Sequence, residues 1–227
     1  KHTATGYEWW IERIKYQLTL TDFLRIDHFR GFDLYWAVPY GEETAINGEW
    51  KPAPGINFFT QLQANLGYDL PIIAEYLGEI DDSVIELRDK FNLPGMKILQ
   101  FAFENPEEND FLPHNYTRNC VCYTGTHDND TTLGWYHTIP ACDRRFAKNY
   151  LNIKGNKKVT WEFIRAAIAS VSDTAIIPMQ DYLELGSEAR INTPSTLGDN
   201  WKWRMSAEQL SPELAEALKT ISEVYGR

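Results

Sequence analysis

Long apolar runs, positive charge and cysteine are all scarce in this sequence, and each scarcity removes a class of protein. No run approaches the roughly 20 apolar residues that span a bilayer, so nothing reads as a membrane segment. No secretory leader is visible, and because the chain opens on Lys1 rather than Met its natural N-terminus is left open. Only 22 Lys and Arg stand against 32 Asp and Glu, a formal charge of −10. Nucleic acid and anionic membranes both demand a basic face, so neither is an expected partner. The three cysteines, Cys120, Cys122 and Cys142, are odd in number and lack zinc-site spacing. Cys120 and Cys122 alternate along an apolar stretch and are expected to pack as small hydrophobes in a reducing compartment, which makes the cytoplasm the expected location.

Apolar and aromatic residues, by contrast, are plentiful. At 43% hydrophobic residues the 227-residue chain can bury a sizeable core, and its length fits one large domain or part of a larger one. Aromatics reach 14%, with eight Trp and twelve Tyr. Rings in that number either fill a core or stack on the apolar C–H faces of sugars, and composition alone leaves both open.

No repeat, low-complexity tract or linker divides the chain, so residues 1–227 are expected to lack an internal domain boundary. Helix-like and strand-like segments alternate. Residues 7–19 place Trp10, Ile11, Ile14 and Leu18 at helical spacing, and Trp9 and Trp10 are expected in the core. DFLRID is a short extended run ending in a carboxylate. A helix over 57–66 leads to DLPIIAE, a buried-strand pattern with the same kind of ending. DDSVIELRDKF carries Asp and Ser capping candidates and sets Val84, Leu87 and Phe91 on one face. MKILQFAFE and NCVCYTGTHD are two more apolar runs with acidic ends, 161–171 reads as helix, and TAIIPMQD reads as a last strand ending in Asp181. Ser211 and Pro212 supply an N-cap and a first-turn proline for a helix through about Val224.

Five such strands, each followed by a helix or long loop, predict an α/β chain with a parallel sheet buried on both faces. Polar residues gathered at strand C-termini mark the active face of a (β/α) barrel. Five strands do not close an eight-stranded barrel. The pattern therefore predicts a partial (β/α)8 TIM-type barrel, its N-terminal part absent and about three strands lying upstream of Lys1.

Three motifs carry chemistry. In RIDHFRGF, Arg25 and Asp27 fall on one side of a strand, where the guanidinium can hold the carboxylate ionised and oriented, as a nucleophile in glycosyl transfer requires. Alone, the pair reads more readily as a structural ion pair at a strand end. In PIIAE the strand delivers Glu75 to the same rim, where partial desolvation suits a carboxyl to donate a proton. In YTGTHDND, His127 and Asp128 sit where a strand turns into its loop, within reach of a sugar's hydroxyls. A lone His beside Asp lacks the further ligands a metal site needs, so no metal is expected.

Strand-end Asp, Glu and His-Asp in that order resemble the α-amylase superfamily of retaining glycosidases and transglycosidases. The stretches RIDHFRGF, AINGEW, PIIAE-x-LG, LPGMKILQFAF, LPHNY, YTGTHDNDTTLGWY and the late NTP…NWKWRM, running from about Thr5 to Met205, resemble the amylomaltases, or 4-α-glucanotransferases. The resemblance implies that the strands are numbers four to eight of the barrel, with Asp27 the nucleophile, Glu75 the acid/base and Asp128 the transition-state stabiliser. It implies sugar contacts for Arg25 and His127. Glu104, at the expected end of strand six, and Asn192, in the loop after the last strand, are further candidate substrate contacts. Trp135 and Tyr136 suit stacking on a sugar or core packing equally, and His114 is expected to fix its loop. The family typically reads I-A-E-D-L-G, whereas Tyr76 here replaces the Asp with a bulky phenol beside the acid/base.

The implied activity is transfer of α-1,4-glucan segments between maltooligosaccharides, with glucose as acceptor, by double displacement. Such chemistry needs no cofactor, and no Gly-rich phosphate loop is present. An α-glucan hydrolase would share the carboxylates, and an inactive glucan-binding fragment is the alternative from another class. Open sheet edges would favour self-association.

Overall fold

The structure, a computed structural model, describes residues 3–78, 81–104, 109–155 and 158–227. They fall into two compact units, Lys1–Met96 and Lys97–Arg227, and the fold is α/β throughout.

In the first unit, helix α1 (Glu8–Gln17) buries Ile11 and Ile14, the positions its spacing predicts. Trp10 packs against the same core, but Trp9, expected inside, is 54% exposed. It is adjacent to Trp10 on the helix, so one rotation of about 100° per residue carries it off the buried stripe. Strand β1 (Leu24–Ile26) follows, then an antiparallel pair, β2 (Leu34–Ala37) and β3 (Glu49–Pro52). The five-strand pattern missed this pair because both strands are largely exposed and show no apolar alternation. Trp36 and Trp50 meet across it edge-to-face with centroids 5.3 Å apart. Gly48 lies so close beneath the Trp36 indole that a Cβ would fall 2.2 Å from Nε1. Helix α2 (Gly55–Leu66) buries Phe58, Phe59 and Leu62, and Phe58 stacks on Phe32 at 5.1 Å.

Strand β4 (Ile72–Ala74) pairs with β1 in parallel, Leu24 opposite Ile72, Arg25 opposite Ile73 and Ile26 opposite Ala74. Helix α3 (Asp82–Lys90) buries Val84 and Leu87, with Phe91 just beyond. Its predicted caps serve other partners. Asp81 makes no side-chain cap and pairs instead with Arg30 at 2.8 Å, while the Ser83 hydroxyl donates to Asp33 at 2.7 Å.

Strand β5 (Gly95–Ile98) carries the division between the units. The predicted strand through Glu104 stops at Ile98 and continues as a 3-10 turn over Leu99–Phe103. That coil sends Leu99, Ala102 and Phe103 into one cluster, whereas an extended chain would send alternate residues to opposite faces. In the second unit β6 (Cys120–Tyr123) is buried at every residue. Helices α4 (Thr132–Thr138), α5 (Ala141–Tyr150) and α6 (Val159–Ala169) follow, and β7 (Thr174–Ile176) pairs with β6 in parallel. The predicted strand ending in Asp181 is shorter than expected. Pro178 has no N–H for a ladder, so the strand ends at Ile176 and Asp181 lies in the short helix α7 (Met179–Tyr182). Trp135 and Tyr136 are buried in the second unit's core. Helix α8 (Pro212–Tyr225) opens as predicted, the Ser211 hydroxyl accepting from Leu214 N–H at 3.1 Å.

No helix among the described residues is long and apolar enough to cross a membrane. All three cysteines are free; Cys120 and Cys122 are buried and Cys142 is exposed. Burial pushes the Cys122 thiol up to about 12, and the thiolate is the nucleophile. Native protein is therefore expected to take up one maleimide per chain quickly, at Cys142, with the buried pair reacting only in denaturant. Fast native labelling of Cys122, read by peptide mass, would contradict the packing of β6.

Candidate active site

The parallel register of β1 on β4 brings two predicted site residues to one level. Asp27 follows Ile26 and Glu75 follows Ala74, and Ile26 and Ala74 are direct partners. The ladder continues past them: Glu75 N–H donates to Ile26 O at 3.0 Å and Phe29 N–H donates to Glu75 O at 2.8 Å. Register partners in parallel strands face the same way at a spacing of about 4.8 Å. His28 then turns left-handed, with φ of 51°, and this aims its N–H at Glu75 Oε2 at 2.6 Å. Leu77 N–H donates to Oε1 at 2.8 Å. Both oxygens of Glu75 are thus fixed by main-chain amides, which do not move with side-chain rotamers.

Asp27 is held differently. Arg25 Nη2 lies 2.8 Å from its Oδ1, while Arg25 Nε donates to Met96 Sδ at 3.3 Å. The Asp27 side chain is 76% exposed, so the pair contributes at most about 1 kcal/mol to stability and acts chiefly to orient the carboxylate. Tyr76 packs into the first unit. Its ring lies under the Arg88 guanidinium, 4.5 Å away, and against Gly95, where a Cβ would fall 2.2 Å from the ring. The phenol that replaces the family's Asp is a packing residue of the first unit's core.

In the second unit the loop between β6 and α4 carries His127 and Asp128. Asp128 Oδ2 lies 3.4 Å from His127 Nε2, and the Asn192 amide donates to Oδ1 at 2.6 Å. Asn192, a candidate substrate contact, is thus brought together with Asp128. The Trp201 ring faces the His127 imidazole at 5.3 Å. Glu104 is exposed at the C-terminal end of the Leu99–Phe103 turn. His114 hydrogen-bonds Tyr150 through Nδ1 at 2.8 Å and fixes its loop.

Asp181 closes the base of that loop. Its carboxylate, 1% exposed, accepts from the Thr124 hydroxyl at 2.5 Å, the Thr132 N–H at 2.8 Å and the Thr132 hydroxyl at 2.7 Å. Burial raises its pKa, and the threonine donors oppose that rise. Thr132 N–H belongs to the first turn of α4, so a negative charge there meets the positive end of the helix. Sequence reasoning saw Asp181 only as a strand end and did not see Arg190, which donates to the Asp128 carbonyl at 2.8 Å. The usable signal was Thr131-Thr132 before an apolar helix: a buried helix start needs an acceptor from elsewhere in the chain.

A family model described as 4-alpha-glucanotransferase matches residues 1–210. The 4-alpha-glucanotransferase of Synechocystis sp. is 52% identical over 99% of this chain and 45% of its own length. The chloroplastic or amyloplastic enzyme of that name from Arabidopsis thaliana is 46% identical over 97% of this chain and 39% of its own. Among solved structures, amylomaltase from Streptococcus agalactiae in complex with acarbose superposes with a TM-score of 0.95 at 41% identity, covering 100% of this chain and 46% of that one. The chain spans about half the length of the curated relatives it matches or somewhat less. With the family model matching from residue 1 to 210 and the α/β fold shared with amylomaltase, the chain belongs to the 4-α-glucanotransferase family.

Proposed function

We propose that the protein is a retaining transglycosidase that moves α-1,4-glucan segments between maltooligosaccharides, glucose included as acceptor, and that residues 1–227 are the later part of its catalytic (β/α)8 barrel, strands four to eight. The observation that carries the reading is the in-register ending of β1 and β4, which sends Asp27 and Glu75 from adjacent strands at one level. Adjacent strands lie about 4.8 Å apart, which lets the two carboxyl groups reach the roughly 5–5.5 Å separation that retaining enzymes use.

In this reading Asp27 attacks the anomeric carbon of the donor. The bond to the leaving oxygen breaks as Glu75 gives that oxygen its proton, and a glycosyl ester forms on Asp27. Glu75, now a carboxylate, takes the proton of an acceptor 4-hydroxyl, whose oxygen attacks the anomeric carbon as its bond to the Asp27 carboxylate breaks and frees Asp27. Asp128 stabilises the distorted, positively charged ring in the transition state. Arg25 orients Asp27, His127 contacts sugar hydroxyls, and Glu104 is a further candidate contact. The free thiols and the acidic balance favour a reducing, cytoplasmic setting.

Incubation with maltotriose tests the reading. Transfer yields glucose together with maltotetraose, maltopentaose and longer products at an unchanged number of reducing ends. Hydrolysis yields only glucose and maltose with reducing ends rising, and that outcome would replace transfer with hydrolysis on the same carboxylates.

A further inference from the structure

We propose that Arg190 is a positioning residue for the Asp128 carboxylate, acting through Asn192; the proposal rests on the transglycosidase reading above. Its guanidinium spans two main-chain carbonyls, Nη2 donating to Asp128 O at 2.8 Å and Nε donating to Asn192 O at 2.9 Å. Two stretches of chain 64 residues apart are tied to one planar group. The tie sets where Asn192 stands, and Asn192 then places its amide on Asp128 Oδ1 at 2.6 Å. Carbonyl, guanidinium, carbonyl, amide and carboxylate form a closed ring of contacts about Asp128.

The ring has a physical purpose. The Asp128 side chain is 48% exposed on a loop, a setting in which a short carboxylate ordinarily samples several rotamers. A group that meets transition-state charge must be held within about 0.5 Å, and a displacement of about 1 Å costs on the order of 10²-fold in rate. The Asn192 amide takes one oxygen and arrests rotation, leaving Oδ2 on the His127 side. Arg190 itself starts from a fixed base, because Ala189 O accepts from the buried Gln180 amide at 3.2 Å and Trp201 N–H donates to Ile191 O at 2.7 Å. The planar fork holds two carbonyls at a fixed separation and angle. The lysine ammonium is a point donor on a flexible stem and does not reproduce it.

Maltotriose transfer by the protein, by Arg190→Lys, Arg190→Gln and Asp128→Asn, and by the double variant Arg190→Gln/Asp128→Asn tests the proposal. Both Arg190 variants are expected to lower kcat about 10- to 100-fold, with KM within about twofold. The double variant should be no slower than Asp128→Asn alone, since without the carboxylate there is nothing to position. Arg190→Lys keeps the charge, and its thermal midpoint reports folding independently, so it decides the matter if Arg190→Gln does not fold. Wild-type kcat in folded Arg190→Lys, a loss confined to KM, or a further additive loss in the double variant each overturns the proposal. Full activity in Asp128→Asn overturns it by another route, because that result removes Asp128 from the reaction and with it the reading on which the proposal rests.

Discussion

Asp27→Asn is expected to lower maltotriose transfer by about 10⁴-fold or more while leaving the fold intact. The amide has the shape of the carboxylate but no charge to attack an anomeric carbon or to form the ester that the second half-reaction consumes. Because the Asp27 side chain is 76% exposed and pairs with Arg25 at the surface, the change in stability should stay within about 0.5 kcal/mol. Glu75→Gln separates the two roles. An activated donor such as an α-maltosyl fluoride carries a leaving group that needs no proton, so it should restore the first step to Glu75→Gln and leave Asp27→Asn inactive. Glu75→Gln has its own structural cost. Two backbone amides, of His28 and Leu77, converge on the carboxylate, and a side-chain NH2 turned toward either leaves that donor unpaired, a loss of about 1–3 kcal/mol. Initial rates on both donors, with a denaturation midpoint for each variant, check the set. A folded Asp27→Asn protein keeping more than about one hundredth of wild-type transfer would remove Asp27 from the nucleophile's role.

Asp181→Ala is expected to cost about 3–5 kcal/mol of stability, since each buried donor left unpaired costs about 1–3 kcal/mol. Three donors, the hydroxyls of Thr124 and Thr132 and the Thr132 N–H, would lose their acceptor in a buried site. The measurement is a shift in the urea midpoint at constant slope. Asp181→Asn keeps an acceptor oxygen and should lose less. It also exposes the pH linkage. Burial raises the pKa of Asp181 in the folded chain above its ordinary value near about 3.9. Between those two values the folded state binds more proton than the unfolded state, so stability falls as pH rises through the window and the charged, buried carboxylate is costliest above it. Wild type should therefore gain on Asp181→Asn as pH falls from the raised value toward about 3.9, and a difference that stays flat with pH would refute the assignment.

Much of the scaffold was legible because its signals are local. Ile11 and Ile14, Phe58, Phe59 and Leu62, and Val84 and Leu87 sit three and four residues apart and bury together as such spacing requires. The Ser211-Pro212 start of α8 is a contact between residues three apart. Where the reading failed, two local signals competed and a distant partner decided between them. The apolar run Lys97–Phe103 satisfies strand and helix alike, and the core around Phe163, Trp135 and Phe146 selects the coil that turns Phe103 inward. Asp81 has the composition of an N-cap, yet an ion pair with Arg30, 51 residues away, claims its carboxylate.

By itself the sequence determined most of the helices, the strands that carry Arg25 and Ala74, the carboxylates beyond them, and the motifs that resemble one family. Each of these depends on residues within a few positions of one another. Only the tertiary structure decided that β1 and β4 end in register, so that Asp27 and Glu75 leave the sheet together. It alone set Tyr76 against Gly95, buried Asp181 under the helix that follows Asp128, and closed Arg190 and Asn192 around that carboxylate. The reason is separation: these contacts join residues from 19 to 64 positions apart, and no periodicity within a window of one helix or strand carries information over that span.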